Sequence, residues 1–391
     1  MGNNNVKFDK EFWLLLILFL SLLLSIILRV NAEATNYQSP DSFFYLKVAE
    51  NILKGKGFAG PTSFPFNQES VESYFAIWPA GYPCLIALFG LVIPNLLWAS
   101  KAVNLFFLGA SFVLLYIQYK QSAIWASFAY FSYGLTEVYS YTWSEGPFLF
   151  FVLLLFYGLN QEQEKKQLFH VGLSLTCLFL LRYAGIIFWL FILGYMIYQY
   201  TRKEYVDARR LLVSLMISGL FIVGYLAINY IKTGFMTGAE RVYIGLESWT
   251  DFTYYLFRGL LNVFAFARNL WFVGNKDSFA IGLLLLQILV IIFVYRGVKF
   301  NLDLGQRLMV FSAGFYFVMI IILRSISPFD SFNYRILSPV SLILFIVFFQ
   351  SILKNIEGKK YQKLALYSFV FISFLINLPV YFLLEEIKIL R

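Results

Sequence analysis

The stretch PDSFFYLKVAENILKGKGF, Pro40–Phe58, follows directly on the first hydrophobic run of the chain. Phe44, Val48 and Ile52 recur at every fourth position, with Tyr45, Ala49 and Leu53 beside them. Lys47, Glu50, Asn51 and Lys54 fall on the opposite face, which predicts an amphipathic helix lying in a membrane interface. Gly55 and Gly57 stop it. Asp41 stands at its amino end, either as an N-cap for the first-turn N–H groups or as a carboxylate with another task. Ser42 is an equally good cap, so capping alone does not require the acid.

The surrounding sequence requires a bilayer. Of 391 residues, 60% are hydrophobic, 20% aromatic and only 14% charged, with a mean hydropathy of +0.71. Soluble domains carry about 25% charged residues. Residues 12–29 form a first span that is long for a leader and lacks a small-residue cleavage site. Further spans are expected near 97–118, 122–138, 146–160, 168–182, 184–200, 211–229, 279–295, 308–324, 337–353 and 364–384, eleven in all. The continuous apolar stretch from Leu168 to Tyr200 needs a break, placed at Arg182-Tyr183. Gly81–Ile93 is apolar but too short to cross about 30 Å of hydrocarbon, and is expected to be a re-entrant or interfacial half-helix.

With the amino terminus cytoplasmic, the inside segments 1–11, 119–122, 161–167, 201–210, 296–307 and 354–363 hold 16 of the 31 Lys and Arg residues. That bias sets the orientation. The net charge of +9 is therefore a topology signal and not a nucleic-acid signature. Residues 30–96, 230–278 and 325–336 then face the outside, the first two as large extracytoplasmic loops of one transmembrane domain spanning 1–391. Cys84 and Cys177 suggest neither a disulfide framework nor a zinc site. HExxH, GxSxG and Walker motifs are absent, and His170, the one histidine, falls near the inner end of a span, where a structural role is expected.

The outside segments carry a series of motifs in order. DSFFYLKVAENILKGKGF reads as D-x3-Y-x3-A-x-N-I-x2-G-x-G-F, and is followed by WPAGYPCLIAL at Trp78–Leu88 and YSYTWSEGPFLFFVLLLFY at Tyr139–Tyr157. LFLLRYAG at Leu178–Gly185, NYIKTGFMTGAER at Asn229–Arg241 and FNYRILSP at Phe332–Pro339 complete the series. Over about 300 residues it resembles the GT-C glycosyltransferases that use polyprenyl-phosphate sugars, such as protein O-mannosyltransferases and lipid A aminoarabinose transferases. The resemblance implies an all-α polytopic membrane fold with interfacial helices in the first outer loop. It implies sugar transfer with inversion from a polyprenyl-phosphate donor to an envelope glycan, lipid or protein acceptor, with Asp41 as base. The expected location is a bacterial cytoplasmic (inner) membrane with the site outside. Ser42 stands where protein mannosyltransferases often carry Glu, a departure that weighs against a protein acceptor. A carboxy-terminal outside domain is not expected, so acceptor contacts should come from the loops.

Physical chemistry assigns the remaining candidates. Arg182 in a run of Leu and Phe would cost about 2.5–3.5 kcal/mol at a span centre, so it should pair or face a cavity. A guanidinium grips a donor phosphate well; the alternative is an arginine snorkelling at a helix end. Arg335, beside Asp330, Asn333 and Tyr334, is a second phosphate ligand or the partner of an internal salt bridge. Lys232 and Arg241, flanking Gly234 and Gly238, are phosphate candidates or solvated charges near anionic headgroups. Glu145 opens the fourth span, as a sugar ligand that tunes Asp41 or as a charge favoured by the helix dipole. Tyr45, Trp78, Tyr82, Tyr183 and Tyr334 could stack on sugar rings or merely anchor the interface. A divalent ion between Asp41 and Glu145 is left open but not expected, because hard cations want more oxygen ligands than these scattered carboxylates supply. The rival classes are a transporter or lipid flippase, and a non-catalytic subunit that binds polyprenyl lipid.

Overall fold

A computed structural model of the chain describes residues 9–61, 72–238, 247–268, 278–296, 301–326, 332–356 and 359–379. The first helix, α1 (Lys10–Ala32), begins where Asp9 accepts the Phe12 N–H at 3.0 Å, and runs through LLLILFLSLLL with no charge until Arg29. At 1.5 Å per residue its 23 residues span about 34 Å, enough to cross the hydrocarbon. The interfacial stretch becomes α2 (Pro40–Leu53), followed by a short antiparallel pair, β1 (Ala59–Pro61) and β2 (Glu72–Tyr74), and the half-helix α3 (Gly81–Gly90). The pair, in register Ala59↔Tyr74, is a small addition to the expected all-α fold.

The bundle continues with α4 (Leu96–Tyr119), α5 (Ala123–Ser127), α6 (Tyr133–Ser140), α7 (Glu145–Leu159), α8 (Glu164–Leu181) and α9 (Ile186–Thr201). Beyond these come α10 (Tyr205–Thr233), α11 (Trp249–Phe264), α12 (Ser278–Tyr295), α13 (Leu304–Ile326), α14 (Ser338–Asn355) and α15 (Lys360–Ile376). The core sits where α7 packs on α4 and α8, α10 on α8 and α9, and α14 on α13 and α5. Exposed faces such as Met216, Leu220, Val223 and Ile231 of α10 remain apolar, as lipid-facing surfaces do.

Among the described residues, six helices are long and apolar enough to cross a membrane, or seven if Tyr133–Ser140 and Glu145–Leu159, bent by 119°, form one broken span. This makes the chain a multi-pass membrane protein without establishing the eleven spans expected. Two features account for part of the difference; of the other expected spans, 337–353 is a shorter apolar helix, and 364–384 runs past the described residues. The expected span 122–138 is broken into α5, a 3-10 turn at Phe128–Phe131 and α6, with Ser132 extended between them, and the stretch Leu96–Phe131 counts once. The charged first turn of α8, Glu164-Lys165-Lys166, also dilutes its apolar run.

The corner at Arg182 falls where the sequence places it. Helix α8 ends at Leu181, Arg182 is extended (φ −150°, ψ 136°), and Tyr183–Gly185 form one 3-10 turn into α9. The turn is tight because Gly185 has no side chain: a Cβ there would lie 2.3 Å from the carbonyl of Leu178. Gly81, at the start of α3, is pressed onto the same corner, its absent Cβ 2.4 Å from the Leu180 oxygen. Gly185→Ala is therefore expected to cost about 1–3 kcal/mol by overpacking against backbone that cannot swing aside. A lowered Tm of the detergent-solubilised variant checks this; an unchanged Tm contradicts it.

Candidate active site

Helix α2 positions the first functional side chain. Ser39, not Asp41, is its N-cap residue, with Pro40 at the first helical position. The Ser39 N–H donates to Ser42 Oγ at 2.9 Å, and Ser42 Oγ donates to the Thr142 carbonyl at 3.0 Å. Capping thus falls to the two serines and leaves the Asp41 carboxylate in the first turn for another partner. Asn51 departs from the expected polar face: it is buried and donates to the Ala59 carbonyl at 2.9 Å, tying the strand pair to α2.

That partner is Arg335, 294 residues away in the turn Phe332–Leu337. Asn333 Oδ1 accepts the backbone N–H of Arg335 at 2.9 Å and of Ile336 at 3.1 Å, which shapes the turn before α14 begins. Arg335 Nη2 donates to Asp41 Oδ2 at 2.5 Å, while its Nε donates to Glu145 Oε1 at 2.6 Å. Glu145 is the first residue of α7, its side chain 1% exposed. The same Oε1 accepts from Arg182 Nη1 at the α8–α9 corner. Two carboxylates and two guanidiniums from four distant segments therefore share one formally neutral cluster at one end of the bundle. The neutrality matters, because a buried charge left without its partner costs several kcal/mol.

The environment of Arg335 is set by opposing effects. Burial weighs against its charge, but the Glu145 and Asp41 carboxylates outweigh that and push its pKa further above an already high value. The Tyr45 phenol is pushed far up by burial, then by the charges of Asp41 and Glu145, so it stays a neutral hydroxyl. The ring of Trp143 lies 4.4 Å from the Arg335 guanidinium.

The other sequence candidates are distributed unevenly. Tyr45 and Tyr82 are buried in the core, edge to face at 5.1 Å, with Trp78 5.9 Å from Tyr45. In this conformation the two tyrosines give no open ring face to a sugar, contrary to the stacking role. Tyr183 donates its hydroxyl to the Ala76 carbonyl at 2.6 Å and accepts from Asn229 at 3.2 Å, which locks the Arg182 corner to the loop before α3. Tyr334 reaches Glu137 at 3.5 Å. Lys232 is exposed in the last turn of α10, with no ion pair to the cluster among the described residues. Arg241 and Asp330 lie outside the described residues. His170 packs against Tyr157, near the end of α8 remote from Arg182.

A second buried pair, missed from sequence, lies beside the first. Arg29 of α1 is ion-paired with Glu137 of α6, donates to the Asn377 carbonyl at 2.9 Å and to the Tyr37 hydroxyl at 2.8 Å. Opposite charges inside two apolar runs were the available sign, since such residues pair. Lys101 of α4 is also buried and donates to the carbonyls of Tyr37 and Ser140, at 3.1 and 2.8 Å. Trp143 had no such sign, being one aromatic among many. Among the described residues no three His, Cys, Asp or Glu side chains gather as a metal site. The place between Asp41 and Glu145 left open for a divalent ion is held by the Arg335 guanidinium.

The likeness of the chain to known proteins lies in its fold. No family model matches it, and no curated protein matches it by sequence. Among solved structures, ArnT from Cupriavidus metallidurans bound to undecaprenyl phosphate aligns with a TM-score of 0.59 at 12% identity, over 91% of this chain and 62% of that one. The fold is similar to that of ArnT. The apo state of ArnT aligns at 0.55, again with 12% identity, over 89% and 61% of the two chains. This chain thus spans about three fifths of the length of ArnT. The all-α polytopic architecture expected from the ordered motifs is thus similar to the fold of ArnT.

Proposed function

We propose that the chain is a membrane glycosyltransferase that moves a sugar from a polyprenyl-phosphate donor to an acceptor hydroxyl or amine at the extracytoplasmic face. The observation that carries this is the convergence of Asp41, Glu145, Arg182 and Arg335 in one cluster. The binding of undecaprenyl phosphate by ArnT, whose fold is similar, supports the donor class. Residues 30–96 and 230–278 are then the two large outer loops of a single domain spanning 1–391, with the amino terminus cytoplasmic.

In this reaction the donor phosphodiester takes up the arginines that Glu145 now holds, so its charge is met by groups already in place. Asp41 accepts the acceptor proton as the acceptor atom bonds to the anomeric carbon. The bond from that carbon to the phosphate oxygen breaks, and polyprenyl phosphate leaves against Arg182 and Arg335. Inversion follows the GT-C resemblance. A pairing of Asp41 with Arg335 would equally suit a polyprenyl-lipid-binding subunit without activity. Purified protein in nanodiscs, given labelled polyprenyl-phosphate sugars and envelope acceptors, should transfer label. Binding without transfer across the panel supports the inactive subunit, and solute uptake in proteoliposomes lacking a lipid-linked donor supports a transporter.

A further inference from the structure

We infer that Trp143 is a positioning residue for this reaction, one side chain that sets both the plane of the Arg335 guanidinium and the seat of the helix bearing Asp41. The inference rests on the glycosyltransferase reading above. Three contacts carry it. The Trp143 ring lies under the Arg335 guanidinium, 4.4 Å from its centre. Tyr141 stacks on Trp143, with centroids 3.9 Å apart and planes 5° from parallel, and is itself met edge-on by Tyr37 at 4.9 Å. The indole Nε1–H donates to Ser39 Oγ at 2.7 Å, and Ser39 caps α2 two residues before Asp41.

The geometry divides the work. A planar guanidinium has its donors in its own plane, so the two carboxylates fix its rotation within that plane and leave the tilt to be set from above or below. A ring lying beneath the guanidinium carbon limits that tilt, and attracts the cation where water is excluded. When a phosphate displaces a carboxylate from Arg335, the in-plane contacts change and the ring remains. Trp143 is 6% exposed and stands in the bend between α6 and α7, two residues before Glu145, so the platform and the carboxylate move as one piece.

The test compares Trp143→Leu, Trp143→Phe and Ser39→Ala with wild type by Tm, by binding of undecaprenyl phosphate in nanodiscs, and by kcat and donor KM. Trp143→Leu should weaken undecaprenyl phosphate about tenfold, equivalent to ~1.4 kcal/mol, and raise the donor KM, alongside a fall in Tm from the emptied indole site. Trp143→Phe, which keeps a ring face, should recover most of that affinity. Ser39→Ala, which loses the indole's acceptor, the cap and the 3.2 Å contact with Ser42 Oγ but keeps the ring, should lower kcat more than it weakens the lipid. Equal lipid affinity for Trp143→Leu and wild type overturns the positioning role. So does a loss in Trp143→Phe as large as in Trp143→Leu. Wild type that neither binds undecaprenyl phosphate nor transfers sugar overturns the glycosyltransferase reading itself, and the inference with it.

Discussion

Asp41→Asn is expected to lower sugar transfer by about 10²–10⁴-fold, the range a positioned general base contributes, while donor binding survives. The substitution is nearly isosteric, and the asparagine oxygen still accepts from Arg335 Nη2, which now reaches Asp41 Oδ2 at 2.5 Å. Ser39 and Ser42 cap α2, so helix stability does not depend on the acid. What the amide lacks is a basic site for the acceptor proton. Single-turnover transfer with saturating donor isolates the step: a kcat loss with an unchanged donor Kd supports the base, and wild-type turnover removes it.

Arg335→Ala is expected to have the largest combined effect. It leaves Asp41 and Glu145 with only Arg182 to balance them, and the nearly inaccessible Glu145 loses one of its two cations. Breaking a buried ion pair from one side costs about 3–5 kcal/mol, so a marked fall in Tm should accompany loss of transfer. Arg335→Lys should restore part of the stability but little activity, because a point charge cannot address Asp41 and Glu145 through two fixed nitrogens as a guanidinium does. The double variant Arg335→Ala with Glu145→Gln separates the two effects, since removing the excess negative charge should recover stability without recovering transfer. Equal Tm values for wild type and Arg335→Ala would show that the pairs are not coupled to folding.

Much of this site was legible because apolar runs have simple requirements. A stretch as long as Leu168–Tyr200 cannot cross once, and Arg182 was the residue least able to stay in lipid, so the corner fell there. The period-four stripe of Pro40–Leu53 likewise placed Asp41 at a helix start. Burial of Asn51 was not readable, because its partner, the Ala59 carbonyl, belongs to a three-residue strand that no alternation in the sequence marks. The break of 122–138 was hidden because its mostly apolar residues give no periodic contrast at Ser132. Helix α11 lies within the expected outer loop 230–278, with Trp249, Tyr254 and Phe257 exposed on one face and Phe252, Gly259 and Val263 buried on the other. The Asp41–Arg335 pair joins segments 294 residues apart, and no spacing rule connects them. Each half was a candidate, but which cation would meet which carboxylate was decided by packing.

The most direct measurement is a structure of the protein in a lipid nanodisc with undecaprenyl phosphate bound. The phosphate should lie within about 3 Å of guanidinium nitrogens of both Arg182 and Arg335, with Glu145 displaced from at least one of them and Asp41 facing the space beside it. A phosphate bound elsewhere, with the four side chains still joined as they are now, would contradict the account.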